Sequence, residues 1–252
     1  MKAAEFLHEA EQLPLAGLDG VLPDHGSVLV VSPHPDDESL GCGGLLALLA
    51  EAGRPGRVLI VSNGAASHPN SRTHPPARLA ALRRDEAIAA LRNLGMEPDR
   101  LVMLGLPDGA VPHDGPGFDA AVTAMANLCR RDGVEAIAVS WEHDPHPDHL
   151  ASWHMARAAA REAGVRLLAY PIWGWRHLYP QIGPLPPLEV DGPPRGQRLD
   201  IAAVLPRKQA AVAAHVSQTT RLIGDDPHGF MLSPEVLALF ERPWEILLEI
   251  SA

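Results

Sequence analysis

Short runs of Val, Ile and Leu alternate along the chain with longer stretches rich in Ala and Leu. The short runs predict strands at 28–31, 57–62, 100–104, 136–140 and 166–170. The longer stretches predict helices at 44–52, 76–94, 119–132, 149–163 and 206–216. Because strands that alternate with helices are typical of α/β proteins, we expect a Rossmann-like, mostly parallel β-sheet flanked by helices. The length of 252 residues fits a single domain over 1–252, with a motif-bearing core from about 27 to 220.

The pattern changes toward the C-terminus. Residues 179–197 are too rich in proline for a helix or a central strand and predict a long loop, either a lid or ordinary surface chain. Residues 234–240 predict a short helix, and alternation of Glu with apolar residues in 243–250 favours an edge strand. Four ring side chains alternate ahead of the loop, where they either stack on a sugar or cover the core: Trp173, Trp175, His177 and Tyr179.

Imidazole and carboxylate side chains directly follow the first predicted strand. His34, Asp36, Asp37 and Glu38 come after the apolar run 28–31, and prolines on both sides of His34 restrict the turn. Ligands of open α/β sheets bind beyond the carboxyl ends of the strands, so these side chains lie where a site is expected. His34 and Asp37 are three residues apart and together suit zinc, which leaves Asp36 free beside the metal.

A second group of the same kind follows the fourth predicted strand, where 143–149 contains three His and two Asp. Two strand ends that each supply His and Asp predict a catalytic zinc site with three protein ligands and one open position. His143 and Asp144 are either loop residues or neighbours of the ligands. The predicted metal ligands are His34, Asp37 and His149.

Both segments have simpler interpretations. Asp and Pro are common in turns, and Asp after a strand often caps the next helix. Two such groups that each follow a buried-type strand favour the metal site over this alternative. Gly41, Gly43 and Gly44 invite comparison with a dinucleotide site, but their spacing does not match G-x-G-x-x-G and acidic residues stand where a pyrophosphate would bind.

Charge and cysteine content narrow the class of protein. A formal net charge of −10, without a cluster of Lys or Arg, disfavours nucleic acid as a partner. No apolar stretch approaches the roughly 20 residues that span a membrane, and the N-terminus has no signal-peptide pattern. Cys42 and Cys129 indicate neither a disulfide framework nor a cysteine zinc site. We therefore expect a cytoplasmic enzyme, either monomeric or a homo-oligomer.

Several separated motifs match one known family. Pro33–Glu38 and the small residues of Gly41–Gly44 match its PHPDDE stretch and the helix start after it, and His146–His149 matches its HPDH. The chain therefore resembles the LmbE-like or PIG-L zinc-dependent N-acetylglucosaminyl deacetylases. Other segments are similar to further motifs of the family: 83–87 with 94–95, 104–109, and Lys208 with 215–218.

The resemblance implies roles for the matched residues. The three predicted ligands bind zinc, with Fe²⁺ or another divalent metal left open. Asp36 acts as general base, a cationic His146 stabilises the oxyanion, and Asp148 orients His146. Arg83 and Asp108 contact sugar hydroxyls, although Arg83 and Glu86 are also three residues apart on a predicted helix, as in a surface ion pair.

The implied reaction is hydrolysis of an acetyl amide on an N-acetylglucosamine-type sugar of a small conjugate or glycan precursor. One alternative is a zinc hydrolase that acts on another acyl amide or on a thiol conjugate. A second alternative is a metal-containing sugar-binding protein without turnover. A retained base at Asp36 argues against the second alternative, because a purely structural zinc site does not use one. A third alternative is a nucleotide-binding oxidoreductase.

Overall fold

One sheet of eight strands runs through the described part of the chain, with helices on both faces. The computed structural model describes residues 1–23, 26–54 and 56–250. The domain predicted over 1–252 therefore includes five residues that lie outside the described ranges: 24, 25, 55, 251 and 252. The strands are β1 Leu15–Ala16, β2 Ser27–Ser32, β3 Gly56–Ser62, β4 Leu101–Leu106, β5 Val134–Ser140, β6 Arg166–Tyr170, β7 Gly196–Asp200 and β8 Trp244–Ile250. The α-helices are α1 Ala3–Ala10, α2 Leu18–Val21, α3 Asp37–Glu51, α4 Pro76–Asn93, α5 Gly115–Asp132, α6 Pro147–Ala163, α7 Leu205–Ala214, α8 Val216–Thr219 and α9 Pro234–Ala238.

The order of the strands across the sheet is β1-β7-β8-β6-β5-β2-β3-β4. Neighbouring strands from β6 to β4 are parallel, and β8 is antiparallel to both β6 and β7. The chain runs outward in opposite directions from β2 and from β5, so the sheet has its topological switch point between these strands. Open α/β sheets bind ligands at the carboxyl ends of the strands at this point. The expected Rossmann-like, mostly parallel sheet is confirmed.

Strand β2 lies at the centre of the core. All six of its residues are buried. Val28 and Val30 belong to the apolar cluster that includes residues of α3 and α7, whereas Leu29 and Val31 belong to the cluster that includes residues of α5 and α6. A parallel strand covered on both faces requires such a continuous apolar run, which is why the sequence pattern predicted it.

Strand β8 lies inside the sheet between β7 and β6, so its predicted edge position is wrong. Glu245 of this strand is only 3% exposed. Its carboxylate accepts hydrogen bonds from Lys208 Nζ and from the main-chain N–H groups of Gly44 and Leu45 in α3. The alternation of Glu with apolar residues thus reflects a buried polar contact with α3, not a solvent-facing edge.

Helix α3 begins at Asp37, earlier than the predicted start at 44. The apolar pattern missed the first turn because its residues are polar, although they are buried. The segment 179–197 is largely irregular, as predicted, apart from a 3-10 turn at Pro180–Ile182 and the start of β7. Part of this loop is tied to the N-terminal segment, since Val190 N donates to Met1 O over 2.8 Å. Within the described ranges, no helix has the length and apolar character needed to cross a membrane.

The ion pair between Lys208 and Glu245 gives a prediction for stability. Both side chains are buried, and Nζ lies 2.7 Å from Oε1. Lys208→Met leaves a buried carboxylate without its counter-charge, so we expect the free energy of unfolding in urea to fall by about 3–5 kcal/mol. The exposed Arg84–Asp85 pair supplies the control, and Arg84→Ala is expected to change it by no more than about 0.5 kcal/mol. Equal losses in the two variants would contradict this account of the buried pair.

Candidate metal centre and active site

Two turns meet at the switch point of the sheet. His34–Asp37 follows β2, and Asp144–His149 follows β5. Asp36 has φ 146° and ψ −29°, and it is the single residue other than glycine with positive φ among the described residues. Such a backbone costs on the order of 1–3 kcal/mol and persists where surrounding contacts impose it, often at functional sites.

Contacts from three sides hold Asp36 in this conformation. Arg83 Nη2 donates to Pro35 O over 2.8 Å and to Asp36 Oδ2 over 3.2 Å. The main-chain N–H of Asp36 donates to Glu38 Oε2 over 3.0 Å. Glu38 is itself buried and pairs with His215 Nε2 at 3.1 Å. The base proposed from the sequence is therefore fixed by a buried ionic network.

The environment of Asp36 suits a proton acceptor near neutral pH. Burial raises the pKa of this carboxyl to about 6; the negative charge of Asp37 acts in the same direction, and the Arg83 guanidinium opposes it. A base whose pKa lies close to the working pH is an efficient general base.

Asp37 lies between the other two predicted metal ligands, His34 and His149. Asp37 Oδ2 lies 3.3 Å from His34 Nδ1 and 3.2 Å from His149 Nε2. Zinc held at about 2.0–2.1 Å by tetrahedral donors brings neighbouring donors to about 3.3 Å from one another. His149 Nε2 is fully buried and makes no hydrogen bond. A buried nitrogen without a hydrogen bond, beside a carboxylate at this spacing, fits a bound cation.

The opposite nitrogen of each histidine faces a carboxylate. His149 Nδ1 lies 2.9 Å from Asp144 Oδ2, and His34 Nε2 lies 3.2 Å from Asp148 Oδ2 and 3.3 Å from Asp108 Oδ1. Metal-bound histidines commonly donate their second ring N–H to a carboxylate, which fixes the tautomer and the ring orientation. Asp144 is therefore placed to orient the predicted ligand His149, and Asp148 and Asp108 are placed to orient the predicted ligand His34.

The charges around these histidines favour a cation. Burial alone would lower the pKa of His149, but Asp37 and Asp144 raise it to about 9. The negative potential that favours a proton on this ring also favours a divalent ion. Among the described residues, two sets bring all their donor atoms within 4.8 Å of one another: His34 with His146 and His149, and His34 with Asp108 and Asp148. The set of His34, Asp37 and His149 is not one of them, although Asp37 Oδ2 lies within 3.3 Å of a nitrogen of each histidine.

The ring of His146 lies 4.7 Å from that of His34, centroid to centroid, and lines the cavity. Its Nδ1 accepts a hydrogen bond from the main-chain N–H of Asp148 over 3.2 Å, which leaves the proton on Nε2. The Asp148 carboxylate does not make this contact, because it accepts from the main-chain N–H groups of Gly109 and Val111. Asp148 thus contacts His146 through its main-chain N–H, whereas its carboxylate contacts His34.

The surroundings of His146 favour its neutral form. Burial lowers its pKa to about 4, and positive charge on His34 and His149 acts in the same direction. The expectation of a cationic His146 is therefore not supported. A neutral imidazole with its proton on Nε2 is still a hydrogen-bond donor toward the cavity.

The two predicted sugar contacts, Arg83 and Asp108, line the same cavity. Arg83 is 3% exposed, and its terminal nitrogens already donate to Gly64 O, Pro35 O and Asp36. It is not a surface ion pair, because its predicted partner Glu86 instead accepts from Ser217 N and Oγ, each over 2.7 Å. Asp108 Oδ2 accepts from Ala66 N over 2.7 Å. Both residues stay predicted substrate contacts, with structural partners of their own.

Sequence reasoning missed or left open other residues of the site. Asp144 was left open, although its spacing of five residues from His149 was a usable signal. His215 received no role, and its contact with Glu38 joins residues 177 apart in the chain. Trp173 lines the cavity, whereas Trp141 and Trp175 are buried and absent from its lining. The aromatic pattern therefore divides between the cavity and the core.

Fold and donor set together define an α/β protein with a metal-type site at its switch point. A family model described as "PIG-L: GlcNAc-PI de-N-acetylase" matches residues 29–160, which is more than half of the chain. The protein belongs to the PIG-L family, as the sequence motifs indicated.

Curated relatives of the chain are named as deacetylases, which are hydrolases of amide bonds. A 1D-myo-inositol 2-acetamido-2-deoxy-alpha-D-glucopyranoside deacetylase from Rhodococcus opacus is 29% identical, over 77% of this chain and 82% of the relative. A 2'-N-acetylparomamine deacetylase from Streptomyces fradiae is 28% identical over 58% of this chain. The match spans only 56% of the length of the Streptomyces enzyme.

A solved structure with the same fold is that of N,N'-diacetylchitobiose deacetylase from Pyrococcus horikoshii. Its TM-score is 0.66 at 19% identity, with 92% of this chain and 86% of the other covered. At this identity the likeness concerns the fold, and it supports the mostly parallel sheet described above.

Asp144 gives a prediction for metal affinity. Asp144→Asn keeps the size of the side chain but removes the charge beside His149 Nδ1, so we expect zinc to bind about 10- to 100-fold more weakly. The measurement is a competition titration with a chromophoric chelator, on protein whose far-UV circular dichroism matches the wild type. Asp85→Asn, at an exposed position, is the matched control. An unchanged dissociation constant in Asp144→Asn would show that this carboxylate does not support the metal ligand.

Proposed function

We propose that the protein is a metal-dependent hydrolase that removes acetyl from an N-acetylglucosamine-type group on a small sugar conjugate. One observation carries the proposal: a strained, buried Asp36 adjoins the Asp37, His34 and His149 donors, and Asp36, Asp37 and His34 line a cavity of about 680 Å³. Deacetylase relatives in the same family support the choice of reaction.

The proposed metal is zinc, with Fe²⁺ as the alternative, held by His34, Asp37 and His149. Two imidazole nitrogens and one carboxylate oxygen are a donor set typical of catalytic zinc. When bound, zinc supplies an acidified water and polarisation of the acetyl carbonyl.

The residues of the chain perform the proton transfers. The Asp36 carboxylate accepts a proton from the attacking water, and the pKa of about 6 suits this step. Arg83 and the Glu38 carboxylate keep Asp36 aimed at the cavity. The protonated Asp36 then returns its proton to the leaving amine, which frees the amino sugar and acetate.

His146 stabilises the negative charge that develops on the former carbonyl oxygen. Its Nε2–H is oriented because Nδ1 is occupied by the main-chain N–H of Asp148. A preorganised donor of this kind is typically worth about 10²- to 10³-fold in kcat. Neutral His146 provides this donor without the energetic cost of burying another positive charge beside a metal ion.

The proposed partner is a small N-acetylated sugar conjugate, and the proposed location is the cytoplasm. The net charge of −10 supports the exclusion of nucleic acid, and the presence of only two cysteines supports a reducing compartment. A homo-oligomer is compatible with the proposal, because the catalytic residues named here all come from one chain.

Acetate release tests the proposed function directly. Purified protein reconstituted with zinc is incubated with methyl glycosides of N-acetylglucosamine, and acetate is measured before and after removal of the metal by a chelator. We expect acetate release that is lost on chelation and restored by zinc. Bound metal without acetate release from any glycoside would overturn the proposal and favour a hydrolase of another acyl group.

Substitutions at the two adjacent aspartates separate the base from the ligand. Asp36→Ala should keep metal near one per chain and lose turnover, because Asp36 is a base and not a ligand. Asp37→Ala should lose both, because it removes the carboxylate between the two histidines. Metal content by mass spectrometry and acetate release are measured on the same preparations. Equal loss of metal in both variants would refute this division of roles.

A further inference from the structure

The lining of the cavity includes two kinds of side chain. Its carboxylates are Asp36, Asp37 and Asp108, and the last two contact His149 and His34, respectively. The described lining also includes an apolar group of side chains: Pro145, Trp173, Leu185, Phe230 and Leu232. A volume of about 680 Å³ lies within the range of about 300–1,000 Å³ that accepts drug-sized ligands, so the cavity has room beyond one sugar ring.

Two aromatic side chains of this apolar group form a wall of the cavity, which we call the aromatic wall. The rings of Trp173 and Phe230 meet edge to face, with centroids 5.8 Å apart and an interplanar angle of 86°. Phe230 is 40% exposed, although large apolar side chains are usually covered. The pair comes from separate segments of the chain, and it leaves aromatic surface facing the cavity.

Hydrogen bonds hold the backbone of both residues. Trp173 N donates to Asp144 Oδ2 over 3.2 Å, next to the contact of Asp144 with His149. Phe230 N donates to Ser67 O over 2.7 Å. Because the backbone of both residues is already held, the packing of a ligand against them costs little backbone conformational entropy, which favours affinity.

Positive charge in the lining restricts the ligand further. Arg176 and His228 also line the cavity. Arg176 donates through Nε to Gly183 O over 2.6 Å and has no ion-pair partner among the described residues. An ammonium group of a ligand near this guanidinium would be repelled by it, so a cationic group is disfavoured there.

We propose that the apolar part of this lining is a subsite for an aromatic aglycone of the N-acetylglucosamine-type substrate that carries no positive charge, packed against Trp173 and Phe230. The inference rests on the proposed function and names the substrate class for the same site. The sugar lies beside Asp36 with its acetamido group toward that carboxylate, and the aglycone extends to Trp173 and Phe230.

A panel of three glycosides of N-acetylglucosamine tests the subsite, each in both anomeric forms. Methyl, phenyl and 2-aminoethyl glycosides differ only in the group that would reach the aromatic wall of Trp173 and Phe230. With zinc-loaded protein, we expect kcat/KM for the phenyl glycoside to exceed that for the methyl glycoside by about 3- to 10-fold, mainly through a lower KM. The 2-aminoethyl glycoside is expected to be the poorest of the three.

A substitution at the wall provides the second arm. Phe230→Ala should bring the ratio of kcat/KM for phenyl over methyl close to one, because it removes half of the aromatic pair. The control is Leu15→Ala, which truncates an exposed apolar side chain in β1 and should leave the ratio unchanged. Binding of the phenyl and methyl glycosides to zinc-loaded Asp36→Ala, measured by calorimetry, gives the same comparison without turnover.

The outcomes separate this inference from the proposed function. If the methyl glycoside is deacetylated but the phenyl glycoside is no better, or if Phe230→Ala leaves the ratio unchanged, the subsite is refuted and the deacetylase remains. A 2-aminoethyl glycoside that equals or exceeds the phenyl glycoside also refutes it. If no glycoside releases acetate and none binds to Asp36→Ala, both proposals fail together.

Discussion

The carboxylate of Asp37 lies between two imidazole nitrogens, and the rest of the site is arranged around that contact. The strand order places the ends of β2 and β5 side by side, which brings Asp37 and His149 together from distant parts of the chain. Four other carboxyl groups lie in or beside the same crevice: Asp36, Asp108, Asp144 and Asp148. Burying so much negative charge is costly unless positive charge compensates for it. A cation bound among these carboxylates would supply that charge.

Asp144 connects a predicted metal ligand, His149, to a residue that lines the cavity, Trp173. Asp144 contacts His149 and accepts main-chain N–H groups of Ile172, Trp173 and Gly174. A Cβ at Gly174 would lie 2.8 Å from Asp144 Oδ1 and 2.6 Å from the Trp141 ring, so this close approach requires glycine. The orientation of the His149 ring and the position of the Trp173 backbone therefore both depend on the buried Asp144 side chain.

The sequence predicted the parts of the site that follow from local pattern and a topological rule. Apolar runs located β2 and β5, and the rule that ligands bind at strand ends placed His34, Asp37 and His149 together. It did not predict the contacts that depend on distant pairing, such as Glu38 with His215, Trp173 with Phe230, or β8 between β6 and β7. The burial of Arg83 was likewise not predicted, since burial on α4 depends on how the helix packs.

The position of the metal tests the central claim most directly. A crystal of the zinc-soaked protein, with anomalous data collected on both sides of the zinc absorption edge, locates the ion without assumptions about its ligands. The account predicts one strong peak within bonding distance of a His34 nitrogen, a carboxylate oxygen of Asp37 and Nε2 of His149, with Asp36 nearby but not bound. A peak between His34, Asp108 and Asp148, or one coordinated by His146, would contradict the assignment of ligands and base.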